Sequence, residues 1–326
     1  MKRRGMAILA FCLALAAGPA PPAGAAPPAP FGFAVIGDMP YGSAQLRAFL
    51  ERISQINADP RVQLASHLGD ISAPVDCSDS YYGRIKSSLD QFADPLVYTP
   101  GDNEWADCHQ ARSGAANPLD RLAAVRRIFF PRPGRTLGRN PAAVTSQPGY
   151  PENVLLDRAG ITIGAVHVVG SSNDLRPWVG LGLSAPTPEQ RAEVDARNRA
   201  GIALIRSAFA QARTNNSRAV VLLTQADMFS GRGSAYRAGY LPIVRALAAE
   251  SASFGRPVYL FNGDSHTFRS DRPLATPKWL SFYGLADAVP NLSRITVQGG
   301  SSVNEWLRVT VVSDASVLRV ERVAYR

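Results

Sequence analysis

The sequence predicts an α/β protein built on two sheets. Three observations carry this reading. Apolar strand-like runs alternate with helically spaced segments over most of the chain. Four of those runs end in the same Gly-Asp dipeptide: Gly37-Asp38, Gly69-Asp70, Gly101-Asp102 and Gly263-Asp264. The C-terminal residues from Leu307 onward then change to two-residue alternation, the pattern of an antiparallel hairpin belonging to a different part of the architecture.

Taken in order, residues 31–36 are a short apolar first strand, and residues 44–56 carry Leu46, Phe49, Leu50 and Ile53 at helical spacing. Residues 62–68 are a second strand, a helix falls near 82–92, and residues 95–99 are a third strand. The first hundred residues therefore read as β-α-β-α-β around a parallel sheet. Residues 103–150 form a long insert rich in Pro, Gly and Arg, with one helix near 119–130, and are expected to overhang the strand ends. Residues 154–157 and 161–169 read as an apolar hairpin. Thr187-Pro188-Glu189-Gln190 is a capping box with Pro at the first helical position, opening a helix to about residue 212. Strand 220–223, a helix around 241–249 and strand 257–261 repeat the earlier grammar. Leu307, Val309 and Val311 alternate with Arg308 and Thr310, and a turn near 313–316 leads into a last alternating run over 317–323.

At the N-terminus, Lys2, Arg3 and Arg4 precede an apolar run over residues 6–17 that is too short to span a bilayer. Ala23-Gly24-Ala25 fits signal-peptidase cleavage. Residues 1–25 are thus expected to be a signal peptide, 26–30 a Pro- and Ala-rich leader, and 31–326 the folded domain. No later segment is apolar for long enough to cross a membrane, so the mature chain is expected to be soluble and exported, periplasmic or secreted. The formal charge of +9 includes three residues of the signal. Only Lys2, Lys86 and Lys278 are lysine, and the arginines are dispersed, which argues against a dedicated nucleic-acid surface. Cys12 leaves with the signal. The remaining even pair, Cys77 and Cys108, reads as a disulfide in an oxidising compartment, with a free or catalytic thiol as the alternative.

In a parallel α/β sheet, Gly-Asp after each strand places carboxylates at the carboxyl edge, where ligands bind. A single such Asp does no more than cap a loop or helix. Four in succession, the last followed by His266, would repel and raise one another's pKa unless a cation neutralised them, so the constellation calls for metal.

FAVIGDMPY, HLGDI, YTPGDNEW, VLLTQADMF and FNGDSHTF, in that order over nearly the whole mature chain, resemble the five motifs of the calcineurin-like metallophosphoesterase superfamily, which includes the purple acid phosphatases. The resemblance implies a two-sheet β-sandwich flanked by helices with two divalent metal ions at the strand ends. It also implies hydrolysis of a small-molecule or polymer phosphate ester by metal-bound hydroxide. By that resemblance Asp38 is a ligand of the first metal, Asp70 bridges both, and His266 is the last histidine of the usual GHxH motif. Asp102 and Asn103 stand where the family has Asn and His. Pro40 replaces a common histidine, with Tyr41 following as a possible additional ligand. Gln225 stands at the fourth-motif histidine and Asp264 at the first histidine of GHxH. Asp38, Asp70, Asp102, Gln225, Asp264 and His266 are therefore the expected metal ligands, with Asn103 on the phosphate.

An oxygen-lined site favours Mn²⁺, Mg²⁺ or Ca²⁺ over a Zn²⁺ pair, with Fe also admitted. Without the third-motif histidine, leaving-group protonation is expected from His109, with Asp107 and water as alternatives. The missing histidines also motivate a second reading, a catalytically lapsed relative that serves as a ligand-binding module. The spacing of Cys77 from Asp70 and of Cys108 from Asp102 suggests that a disulfide would pin the second and third loops together.

Overall fold

The computed structural model of the protein describes residues 30–72 and 76–326. The expected signal peptide and nearly all of the leader lie outside these residues. The chain begins β1 (Gly32–Ile36), α1 (Gly42–Asn57), β2 (Val62–His67), α2 (Asp79–Leu89), β3 (Leu96–Tyr98), α3 (Pro118–Phe129), β4 (Thr145–Gln147), β5 (Tyr150–Arg158) and β6 (Ile161–Ala165). A one-turn α4 (Gly170–Asp174) leads to α5 (Pro188–Thr214), β7 (Ala219–Leu223), α6 (Ser234–Phe254), β8 (Val258–Asn262) and β9 (Arg269–Asp271). The chain ends with α7 (Pro277–Tyr283), β10 (Leu292–Thr296), β11 (Glu305–Val311) and β12 (Leu318–Ala324).

Among the described residues, the strands form a five-stranded sheet in the order β12-β11-β1-β2-β3 and a seven-stranded sheet in the order β4-β5-β6-β7-β8-β10-β9. The runs β1-β2-β3 and β6-β7-β8-β10 are parallel. The C-terminal pair β11-β12 is antiparallel and joins β1. Strand alternation separates the layers. Phe33 and Val35 of β1 meet Val221, Leu223 and Phe261 of the other sheet, with the Phe33 and Phe261 rings 6.0 Å apart. Ala34 and Ile36 point the other way, into a core with Phe49 of α1, Ile85 of α2 and Phe129 of α3. On the far side, Val220 and Leu222 pack under Leu204 and Phe209 of α5 and Ile243 of α6. Each large side chain buried in these seams stabilises the fold by roughly 2 kcal/mol relative to exposure. The result is the two-sheet sandwich flanked by helices that the sequence predicts.

The 187–190 capping box forms as expected, with the Thr187 hydroxyl and the Gln190 side chain each bonding the other's backbone N–H. Several elements were not predicted. β10 pairs with β8 and β9, yet its centre is Arg294, only 1% exposed, which breaks the apolar pattern of a buried strand. The charge is accommodated by Asp227 at 2.6 Å and Asp271 at 2.5 Å. Among the described residues, no helix is long and apolar enough to cross a membrane.

The 103–150 segment does not overhang the strand ends as a whole. α3 packs with α1 and α2 through Ala124, Val125 and Phe129, and Arg126 anchors it to buried Glu152 of β5 at 2.6 Å. The Arg126 guanidinium also lies over the Tyr150 ring. Burial opposes the Glu152 charge, but the His167 hydrogen bond and Arg126 outweigh it and hold the carboxyl at about 2. Burial lowers the His167 pKa, so the ring contributes mainly as a neutral N–H. A carboxyl depressed in the fold stabilises it above its unfolded pKa and ceases to as pH falls towards the folded value. Glu152→Gln is therefore expected to lower Tm by about 4 °C at pH 7, corresponding to about 2 kcal/mol, with the difference shrinking between pH 5 and pH 3. Thermal unfolding of both proteins across that range checks it.

Candidate metal centre

The turns after β1, β2 and β8 share one local device. Asp38, Asp70 and Asp264 all adopt left-handed backbone geometry, with φ of 50°, 56° and 69°. Asp tolerates this region better than most residues, and the turn directs each carboxylate back over the strand edge. Neighbouring glycines make room: a Cβ at Gly263 or Gly299 would run into Asp38, and one at Gly101 into the Asp70 carboxylate. The third dipeptide differs. Asp102 is not left-handed, and its carbonyl accepts the Trp105 and Asp107 N–H groups as the chain turns into the insert.

Ligand atoms of Asp38, Asp70 and His266 all lie within 4.8 Å of one another. The Nε2 of His266 is 3.5 Å from Asp38 Oδ1. The Tyr41 hydroxyl donates to Asp70 Oδ2 at 2.8 Å and lies 3.4 Å from His266 Nε2. Asn103 Nδ2 donates to the Tyr41 hydroxyl at 2.7 Å, to Asp70 Oδ2 at 3.1 Å and to the Ser72 carbonyl at 2.8 Å. Asp102, Asn103 and Asp264 line the same cavity as Asp70, Tyr41 and His266. The structure thus gathers most of the expected ligands, with Asp38, Asp70 and His266 as the tight group.

Burial pushes Asp38 up to about 8 and Asp102 up to about 7, with neighbouring carboxylates adding to the rise. Asp70 and Asp264 are raised well above the usual carboxylate range for the same reasons. Among these buried groups, Asp38 Oδ2 has no hydrogen-bond partner at all. An unpartnered buried carboxylate oxygen, beside a second carboxylate and an imidazole, is the donor set that a divalent cation neutralises. The residues fit a metal.

Two expected residues make further contacts of their own. Gln225 is fully buried, with Nε2 donating to Asp102 Oδ1 at 3.0 Å and Oε1 accepting the Gly170 N–H at 2.6 Å. It orients Asp102 and does not line the cavity. His109 does not line the cavity either: the short helical turn Ala106–His109 carries it beneath residues 179–181, where Nδ1 accepts the Gly180 N–H at 3.3 Å. Asp107 does line the cavity, and its oxygens accept from Ser171 Oγ at 2.7 Å and Gln110 Nε2 at 2.9 Å. Cys77 and Cys108 are joined in a disulfide, with Cα atoms 6.0 Å apart, beside Asn103 and Glu104.

Glu104 was not singled out in the sequence. Completely buried, it accepts from Tyr98 Oη at 2.8 Å, Gly101 N at 2.9 Å and Asp70 N at 3.1 Å, stitching the second turn to the third. A second acid two residues past Asp102 in YTPGDNEW was the available signal. Asp227 plays a similar part after β7, donating its N–H to Asp264 Oδ2 at 3.2 Å and accepting from Ser265 Oγ at 2.7 Å and from Arg294.

α4 is a left-handed turn: Ser171, Ser172 and Asn173 have φ of 50°, 58° and 60°. Such geometry costs about 1 to 2 kcal/mol per residue. Asn173 offsets part of that cost, donating to Asn198 at 2.9 Å and to the Gly239 carbonyl at 3.0 Å, while accepting from Arg197. Asn173 is therefore a buried support, and Ser171 and Ser172 face the cavity.

No protein-family model matches the chain, and comparison with curated protein sequences finds no match. Among solved structures, the chain is similar to "GAP50 the anchor in the inner membrane complex of Plasmodium", at 11% identity over 91% of this chain and 89% of that one, with a TM-score of 0.46. A likeness of that size says nothing of what this chain does.

The raised carboxyls retain protons that an unfolded chain loses above about pH 4, so in the metal-free fold they stabilise at low pH and cease to as pH rises towards 8. Cation binding must displace those protons. Calorimetric titration with Mn²⁺ at pH 6.5, in buffers of different ionisation enthalpy, is expected to show release of about one proton or more per cation, shrinking as pH is raised. A heat independent of buffer would contradict it.

Proposed function

We propose that this protein is an exported, metal-dependent phosphoesterase related to the calcineurin-like metallophosphoesterases. The observation that carries the reading is the convergence of Asp38, Asp70 and His266, with Asp38 Oδ2 buried and unpartnered, at the carboxyl edge of parallel strands. Asp38, Asp70 and His266 would hold one divalent ion, and Asp70 with Asp102 and Asp264 a second. Ions so held supply Lewis-acid polarisation of the phosphoryl oxygens and lower the pKa of water.

The chain's own groups do the rest. Glu104 and Gln225 fix Asp70 and Asp102, so the carboxylates need no reorganisation when substrate arrives. Asn103 and Tyr41 orient Asp70 Oδ2 and line the cavity, where a phosphoryl oxygen can accept from the Asn103 amide by replacing one of its three present acceptors. His109 is turned away, and both Asp107 oxygens already accept hydrogen bonds, so leaving-group protonation falls to solvent. Esters with acidic leaving groups are the favoured substrates on this account.

A second reading, binding without turnover, is favoured by one observation: Gln225, at a position where the family carries a ligand, is occupied in holding Asp102. Mn²⁺-dependent hydrolysis of 4-nitrophenyl phosphate and bis(4-nitrophenyl) phosphate separates the two. Hydrolysis of at least one ester, reduced about a hundredfold or more in Asp70→Asn, is the expected result. Cation binding without hydrolysis, or activity retained by Asp70→Asn, favours the binding module.

A further inference from the structure

The carboxylate turns form only one wall of a cavity of about 790 Å³, several times the space a phosphate group needs. The rest of its lining is partly cationic. Arg112 comes from the insert, Arg176 from the segment after the left-handed turn, and Arg232 from the loop between β7 and α6. Three segments distant in sequence thus bring guanidinium groups to one chamber.

Among the described residues, ten other arginines are tied up in ion pairs, including Arg126 with Glu152 and Arg294 with Asp227. Among the described residues, none of the three cavity arginines forms an ion pair with a carboxylate, although Asp107 lines the same cavity. Arg112 Nε instead donates to the neutral amide of Gln110 at 2.8 Å, and all three side chains are exposed to solvent. Ser230 and Ser234 add hydroxyls to this wall, and α6 begins there without a side-chain cap.

Guanidinium groups match phosphate and carboxylate oxygens by paired, charge-assisted hydrogen bonds. Granted the phosphoesterase reading of the neighbouring cluster, on which this rests, we infer that the substrate carries a second anionic group, phosphate or carboxylate, on its leaving-group side, and that Arg112, Arg176 and Arg232 bind it. The cavity is then two-ended: the carboxylate wall, with its cations, takes the scissile phosphate, and the arginine wall takes the second anion. Substrates with a lone phosphate fill one end only.

Non-hydrolysable probes test this without depending on turnover. Calorimetric titration in Mn²⁺ with benzylphosphonate and with p-xylylenediphosphonate is expected to show the bisphosphonate bound about tenfold tighter or more. In the Arg112→Gln, Arg176→Gln, Arg232→Gln triple variant, whose changes lie on exposed side chains, that preference is expected to fall to about twofold or less, with each single variant losing part of it. Equal affinities in the unaltered protein overturn the inference while leaving the phosphoesterase reading intact. Equal weakening of both ligands in the triple variant also overturns it, since the arginines would then hold the scissile phosphate. Absence of binding by either ligand removes both readings.

Discussion

Carboxylates buried side by side repel, and the strand edges of this protein bury Asp38, Asp70, Asp102 and Glu104, with a half-buried Asp264 among them. Burial and mutual charge push the four aspartates above their ordinary range, and no arginine or lysine is paired with any of them among the described residues. The arrangement makes physical sense with cations present, and much of the surrounding structure maintains it against its own repulsion. Left-handed turns aim three of the carboxylates, glycines on adjoining turns leave space for them, and backbone N–H groups of Asp264, Asp227 and Asn103 take up some of their oxygens.

The two halves of the site belong to different sheets. Asp38, Asp70 and Asp102 follow β1, β2 and β3, whereas Gln225, Asp264 and His266 follow β7 and β8. The distance between the halves is therefore set by the inter-sheet core, where Phe33, Val35 and Leu64 meet Val221, Leu223 and Phe261. Protein interiors are close-packed and transmit small displacements, so the spacing of ligands depends on side chains that never touch the site. The helical turn bearing Cys108, bonded to Cys77, and the left-handed α4 fix the cavity's remaining walls from the insert side and from the second sheet.

Much of this was legible in the sequence because it is local. Strand alternation, the capping box and the Gly-Asp dipeptides are each written within a few residues, and the dipeptides named the strand ends that converge. β10 was hidden because Arg294 interrupts its apolar run and depends on partners far away in sequence. Nearness in sequence misled for His109, six residues past Asn103 but carried under residues 179–181 by a turn that the sequence does not announce. No glycine marks Ser171, Ser172 or Asn173 as left-handed, since the bonds that hold them come from α5 and α6. Arg112, Arg176 and Arg232 share no motif and meet only in three dimensions.

Whether the clustered aspartates are a cation site rather than a strained acidic cluster is decided by anomalous diffraction from crystals grown with Mn²⁺. A manganese peak is expected about 2.2 Å from a carboxylate oxygen of Asp38, an oxygen of Asp70 and a ring nitrogen of His266. A map with the carboxylates in these positions and no anomalous peak among them would contradict it.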